Sequence, residues 1–155
     1  MMNLIQEAKD QAAALTQAAY EKAAAEGLLP GGQEIRGSVE VPKDARNGDI
    51  ASSFAMAGAK ALRSNPRAIA QIILDRLDLE GTYFQRAEIA GPGFLNFFLS
   101  DKWYGGVVSA VETEGDAYGS VDEGKGERVM VEFVSANPTG PMHMGNARGG
   151  VLGDT

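Results

Sequence analysis

The residues best suited to chemistry lie between Val129 and Thr155. A compact apolar run, Val129 to Val134, is broken only by Glu132 and predicts a strand, and Ser135 to Pro141 is rich in turn formers. From His143 to Thr155 the pattern predicts the opening of a helix. That order puts His143 and Gly145 where a helix begins, with free amide hydrogens and the positive end of the dipole available to a phosphate. His143 can donate a hydrogen bond to a phosphoryl oxygen, and Gly145 lets a flat base approach the backbone. The arrangement suits a nucleoside triphosphate. Without its flanking loop, His143 would read more simply as a helix-start histidine satisfying a local carbonyl; the loop favours the functional reading.

The elements that must position such a site are legible in outline. Asn3 to Glu26 is alanine-rich, with Leu4, Ala8, Leu15, Ala19 and Tyr20 on one stripe, and predicts a long helix ended by Gly27 and Pro30. Val39 and Val41 alternate with polar residues before Pro42 and suit a short strand, followed by a polar loop through Asp44, Asn47, Gly48 and Asp49. A second helix is expected from Ala51 to Leu62. Asn65 followed by Pro66 predicts a third, with Asn65 as cap and Ile69, Ile72, Ile73 and Leu77 as its apolar face. Tyr83 to Ile89 and Phe94 to Leu99, joined by Gly91-Pro92-Gly93, predict a hairpin with one buried face. Asp101 opens a fourth helix reaching Thr113, and the acidic, glycine-bearing stretch from Glu114 to Gly126 reads as a linker.

The expected organisation is therefore an α+β domain over 1–114, with helices on a small antiparallel sheet, a linker over 115–127, and over 128–155 the first βα unit of a Rossmann-like fold. One strand with one helix cannot bury itself, so the chain is expected to stop inside a domain. Its unpaired strand edge would then invite self-association.

Composition narrows the function classes. The chain has 155 residues, no cysteine and one histidine, which argues against disulfides and zinc-centred chemistry. A formal charge of −7 argues against non-specific nucleic-acid binding, yet residues 36–86 hold eight basic against six acidic side chains, while 101–127 hold two against seven. A positive face is thus available in the first half, although arginines of this kind also make ordinary solvated helix surfaces. No apolar run approaches the roughly 20 residues of a membrane span, and the start lacks a signal-peptide pattern, so a cytoplasmic location without a membrane partner is expected.

The His143-Met144-Gly145-Asn146 tetrad resembles the His-x-Gly-His signature of class I aminoacyl-tRNA synthetases, and the preceding Ser135-Ala136-Asn137-Pro138-Thr139-Gly140-Pro141 resembles arginyl-tRNA synthetases in particular. Upstream, Asn47-Gly48-Asp49-Ile50-Ala51 and Glu88-Ile89-Ala90-Gly91-Pro92-Gly93-Phe94-Leu95-Asn96-Phe97 resemble the extra N-terminal domain of that family. The resemblance implies a parent enzyme that activates L-arginine with ATP, accompanied by Mg2+, and transfers it to tRNA(Arg). It assigns His143, Gly145 and Asn146 to catalysis, Glu132, Ser135 and Asn137 to the substrate arginine, and Pro138, Thr139 and Gly140, with the catalytic three, to ATP. Phe94 and Asn96 match positions that stack on and hydrogen-bond an exposed base at the outer corner of the tRNA, in the D-loop. The departure is Asn146, where a second histidine is usual: asparagine can donate a hydrogen bond but cannot carry positive charge. The family's second, Lys-Met-Ser-Lys type loop and its anticodon-binding domain do not occur before Thr155, so this chain alone is expected to be catalytically incompetent. Two other readings compete: a free-standing tRNA-elbow binding module without enzymatic role, distinguished by a gene that ends at Thr155, and an unrelated nucleotidyltransferase sharing the His-x-Gly signature, against which the Gly-Pro-Gly-Phe hairpin counts.

Overall fold

A computed structural model describes residues 3–120, 124–137 and 139–154. Pro138 and Thr155, both expected to belong to the signature segment, lie outside the described residues. The chain divides into two compact units, residues 1–120 and 121–155.

In the first unit, Asn3 caps helix α1 (Leu4–Ala25) by accepting from the Gln6 amide, and Leu4, Ala8, Ala12, Thr16, Ala19, Tyr20 and Ala23 form its buried stripe. The Thr16 hydroxyl, inside that stripe, donates to the Ala12 carbonyl at 2.7 Å. Strands β1 (Val39–Glu40), β2 (Ile50–Ser52), β3 (Phe84–Ala90) and β4 (Phe94–Leu99) make one antiparallel sheet in the order β1-β2-β4-β3. Helices α2 (Phe54–Gly58), α3 (Pro66–Leu74) and α4 (Asp101–Glu114) complete the unit. Asn65 caps α3 by accepting from the Arg67 amide, with Pro66 in the first turn, as the Asn-Pro pair predicts. The unit is thus α+β, helices with a small antiparallel sheet.

The helix expected over 51–62 is shorter and starts later. Ile50 to Ser52 is a strand in the middle of the sheet, and the helix begins only at Phe54 and ends at Gly58. Alanine content favours a helix locally, but Ile50, Ala51 and Ser52 are all buried and register against Phe97, Asn96 and Leu95 of β4, so tertiary pairing overrides propensity. Asp49 sets that register: its amide donates to the Phe97 carbonyl at 2.9 Å and its Oδ2 accepts from the Leu99 amide at 2.8 Å.

Alternation along β4 sends Leu95, Phe97 and Leu99 into the core with Ile50, Ile69, Ile73 and Phe84. A register shift between Phe84 and Arg86 places Phe84 opposite Leu99 and turns its ring inward, 5.0 Å from that of Phe97. At the other end of the unit the Trp103 indole Nε1–H donates to the Leu4 carbonyl at 3.1 Å, tying α4 to the start of α1. Tyr83 ties α1 to β3: its amide donates to Gln11 Oε1 and its hydroxyl to Glu7 Oε2. Burial, and then that hydrogen bond and the Glu7 charge, push the Tyr83 phenol above its ordinary value.

In the second unit, helix α5 (Met144–Asp154) follows the loop, starting one residue after the expected position. The expected strand over Val129–Val134 is not formed: the segment carries no regular secondary structure, with Val129 and Met130 75% and 95% exposed. The physical reason is the absence of a neighbour, since a strand exists through its inter-strand hydrogen bonds and none pairs with this segment among the described residues. Glycines on α5 do lie against it: a Cβ on Gly149 would come 3.2 Å from the Phe133 carbonyl oxygen, and one on Gly153 would overlap the Phe133 side chain. Among the described residues no helix is long and apolar enough to cross a membrane.

Candidate nucleic-acid interface and signature loop

The face of the sheet opposite the core is built by β4 residues Phe94, Asn96 and Phe98, by their β3 partners Ala90, Glu88 and Arg86, and by Ala51 of β2. A groove of about 350 Å³ runs over it, lined by Lys43 and Asn47 on one side, Gly91 and Pro92 on the other, and Phe94 and Asn96 at its base. Two sequence features fix its walls. The turn that carries Phe94 is anchored to the start of α3, because the Arg67 guanidinium donates to the Gly91 carbonyl at 2.9 Å and Gly93 sits against Pro66. A Cβ on Gly93 would lie 2.9 Å from the Pro66 carbonyl, and its φ of +140° is closed to most side chains. The opposite wall contains a 3₁₀ turn (Ala45–Asn47) capped by Asp44, whose carboxyl the Arg46 guanidinium and amide hold below the usual carboxylate range.

Both base-contacting candidates fall in this groove. Phe94 is half-buried at its edge, and Asn96 is 4% exposed. The Asn96 amide has no hydrogen-bond partner among the described residues, yet no buried polar side-chain atom is sealed away without one, so the amide reaches the open space of the groove. A polar group this buried normally has a partner in the protein. Here two donors and an acceptor stay free to meet the edge of a ligand.

The structure also brings together on this face two residues, Arg86 of the basic stretch and Phe98 of the hairpin, whose contact the sequence alone did not reveal. Arg86 stands opposite Phe98, with its guanidinium carbon 3.4 Å above the ring centroid, and it pairs with Glu88. Counting outward from the turn would have found it: pairing Ala90 with Phe94 puts Glu88 opposite Asn96 and Arg86 opposite Phe98.

In the second unit, Ser135, Asn137, Thr139, Gly140, His143 and Asn146 line one concavity of about 330 Å³. His143 precedes α5, and its carbonyl accepts from the Asn146 and Ala147 amides. The Gly145 amide donates to His143 Nδ1 at 3.1 Å, and the Asn146 side-chain oxygen accepts from the His143 amide at the same distance. That contact uses Nδ1 as the acceptor and leaves Nε2 as the nitrogen free to carry a proton. A Cβ on Gly145 would lie 2.9 Å from His143 Cε1, so glycine at this position leaves the ring its place. Asn146, in the position of the usual second histidine, serves as a helix cap. Glu132, exposed on the preceding segment, is not among the residues lining the concavity.

The first unit is thus an antiparallel sheet with helices and an aromatic and amide groove on its open face, and the second carries a histidine–glycine helix start. The profile described as "Arginyl tRNA synthetase N terminal domain" matches residues 4–99. The chain is 46% identical over 154 residues to the arginine–tRNA ligase of Acetivibrio thermocellus, covering 99% of this chain and 27% of that protein. It is also 46% identical to that of Caldanaerobacter subterraneus, and 41% identical over 153 residues to that of Staphylococcus aureus, with the same coverage. Among solved structures it is similar to the Thermus thermophilus arginyl-tRNA synthetase, with a TM-score of 0.44 and 27% identity over 88% of this chain and 21% of that one. The chain belongs to the arginyl-tRNA synthetase N-terminal domain family, and it spans 27% of the length of the curated relatives it matches.

Proposed function

We propose that this chain serves as the N-terminal part of an arginine–tRNA ligase, in which the first unit grips tRNA(Arg) and the second begins the site for ATP and L-arginine. The observation that carries the reading is the groove: Asn96, a largely buried residue, turns an amide without a protein partner into the open space beside Phe94, the pairing of stacking surface and hydrogen-bonding edge by which unpaired RNA bases are read. The base belongs to the D-loop at the outer corner of the tRNA.

In the second unit, His143 Nε2–H donates to an α-phosphate oxygen of ATP while the arginine carboxylate attacks phosphorus. The new bond joins carboxylate oxygen to Pα, the bond from Pα to the bridging oxygen breaks, and pyrophosphate leaves with the electron pair. Such a step needs positioning and charge stabilisation, not a protein nucleophile. Gly145, Asn146, Thr139, Gly140 and Pro138 take the nucleotide; Glu132 meets the positive charge of arginine, with Ser135 and Asn137 beside it. Residues 129–134 become the first strand of a Rossmann-like sheet once neighbours pair with them. Until then their exposed apolar side chains favour self-association. Mg2+ accompanies ATP on its phosphates. The chain by itself does not aminoacylate, and the parent enzyme works in the cytoplasm.

The test is a fluorescence titration of the chain with transcripts of tRNA(Arg) and an unrelated tRNA at two salt concentrations. Phe94→Ala is expected to weaken tRNA(Arg) binding by about 1–3 kcal/mol, the worth of one stacked base. Binding that is indifferent to this substitution would remove the groove from the interface.

A further inference from the structure

Along β4 the open face presents Phe94, Asn96 and Phe98 at steps of about 7 Å, and the proposed base-reading site uses the first two. Phe98 lies next in line, half-buried, with its ring beside Gly48. A Cβ on Gly48 would come 3.4 Å from its Cε2 and Cζ, and Gly48, at φ +81°, is in a conformation that favours glycine. On the ring lies the Arg86 guanidinium, 3.4 Å from the centroid, and half of the Arg86 side chain is exposed. A guanidinium stacked in this way keeps its in-plane N–H donors available and its outer face open. At present one edge of the fork is held by Glu88, which is half-exposed and stands opposite Asn96 in the register.

Resting on the reading of Phe94 and Asn96 as a base-reading site, we propose that the Arg86–Phe98 pair is a second RNA contact. It takes the nucleotide adjacent to the one read at Asn96, stacking its base on the guanidinium and binding the intervening phosphate through the donors that Glu88 now holds. Sheets that bind unpaired RNA stack two or three successive bases on aligned side chains in this manner. Glu88 is then the residue displaced: its carboxylate keeps the fork oriented in the free protein and competes with phosphate for it. The ligand is an unpaired RNA loop of at least two nucleotides.

The test measures binding of the tRNA(Arg) transcript to the whole 155-residue chain between 20 and ~200 mM salt, with circular-dichroism melts as the folding control. Arg86→Ala is expected to weaken binding roughly tenfold and to flatten the plot of log K against log salt by about 0.7, one single-strand phosphate contact. Arg86→Lys keeps the charge, so it should restore the salt slope without restoring the full affinity. Glu88→Gln removes the competitor and should tighten binding about threefold. An unchanged affinity and slope in Arg86→Ala, with Phe94→Ala still weakening binding, overturns the second contact and leaves the first reading standing. Weaker or unchanged binding by Glu88→Gln overturns the exchange of carboxylate for phosphate. No binding by the unsubstituted chain at 20 mM salt overturns both readings.

Discussion

Asn96→Leu should abolish measurable selectivity for tRNA(Arg) while leaving the fold as stable as before, within about 1 kcal/mol, or slightly more stable. The two halves of that result have one cause. Asn96 is 4% exposed as a residue and its amide, which opens onto the groove, has no partner among the described residues, so the folded protein gains little from its polarity. A base edge would satisfy that amide, whereas leucine would leave the base unpaired on one side, at a loss of about 1–3 kcal/mol. Chemical denaturation and tRNA titration on the same preparation check both halves. A destabilisation beyond about 2 kcal/mol would show that the amide has a structural task, and the groove would lose its claim as a binding site.

Phe97→Ala is expected to have the opposite profile and the largest effect on stability, about 3–5 kcal/mol. Phe97 is fully buried, its ring meets Phe84 at 5.0 Å, and its backbone stands between Ile50 of β2 and Ala87 of β3. Truncation opens a cavity where three strands and the helices meet, and domains have only about 5–15 kcal/mol to lose. Its sequence neighbour Phe98, on the open face, should cost no more than about 1.5 kcal/mol when truncated, because it contributes mainly a surface contact with Arg86. Thermal melts of the two variants side by side check the contrast; equal losses would contradict the assignment of faces.

Much of the fold could be read from local pattern. Helix α1 declares itself through a stripe repeated over 22 residues, and Asn65-Pro66 marks the start of α3 through chemistry confined to two residues. The hairpin follows from its turn. What local pattern could not supply was partnership. Ile50-Ala51-Ser52 is three residues long and sits among alanines, and only pairing with β4 makes it a strand. Val129 to Val134 shows the converse: the composition suits a strand, but without a neighbour it forms none.

The candidate site divides along the same line. Phe94 and Asn96 were reachable because the turn precedes them directly and the period of two puts them on one face. The burial of Asn96 was not, because it depends on Lys43 and Asn47, some 50 residues away along the chain, walling the groove from the other side. Arg86 over Phe98 required the register across the hairpin, which no single strand contains. Around His143, proximity in sequence made the candidates obvious, and the structure adds a contact: the Gly145 amide donates to Nδ1 and leaves Nε2 free.

The hydrogen bond between Trp103 and Leu4 gives the molecule an optical reporter. Trp103 is the chain's one tryptophan, and its indole is buried where the first turn of α1 meets α4. Its emission therefore records whether the two ends of the first unit are closed on each other, and loss of the residues around Leu4 would expose the ring to water and shift that emission to the red.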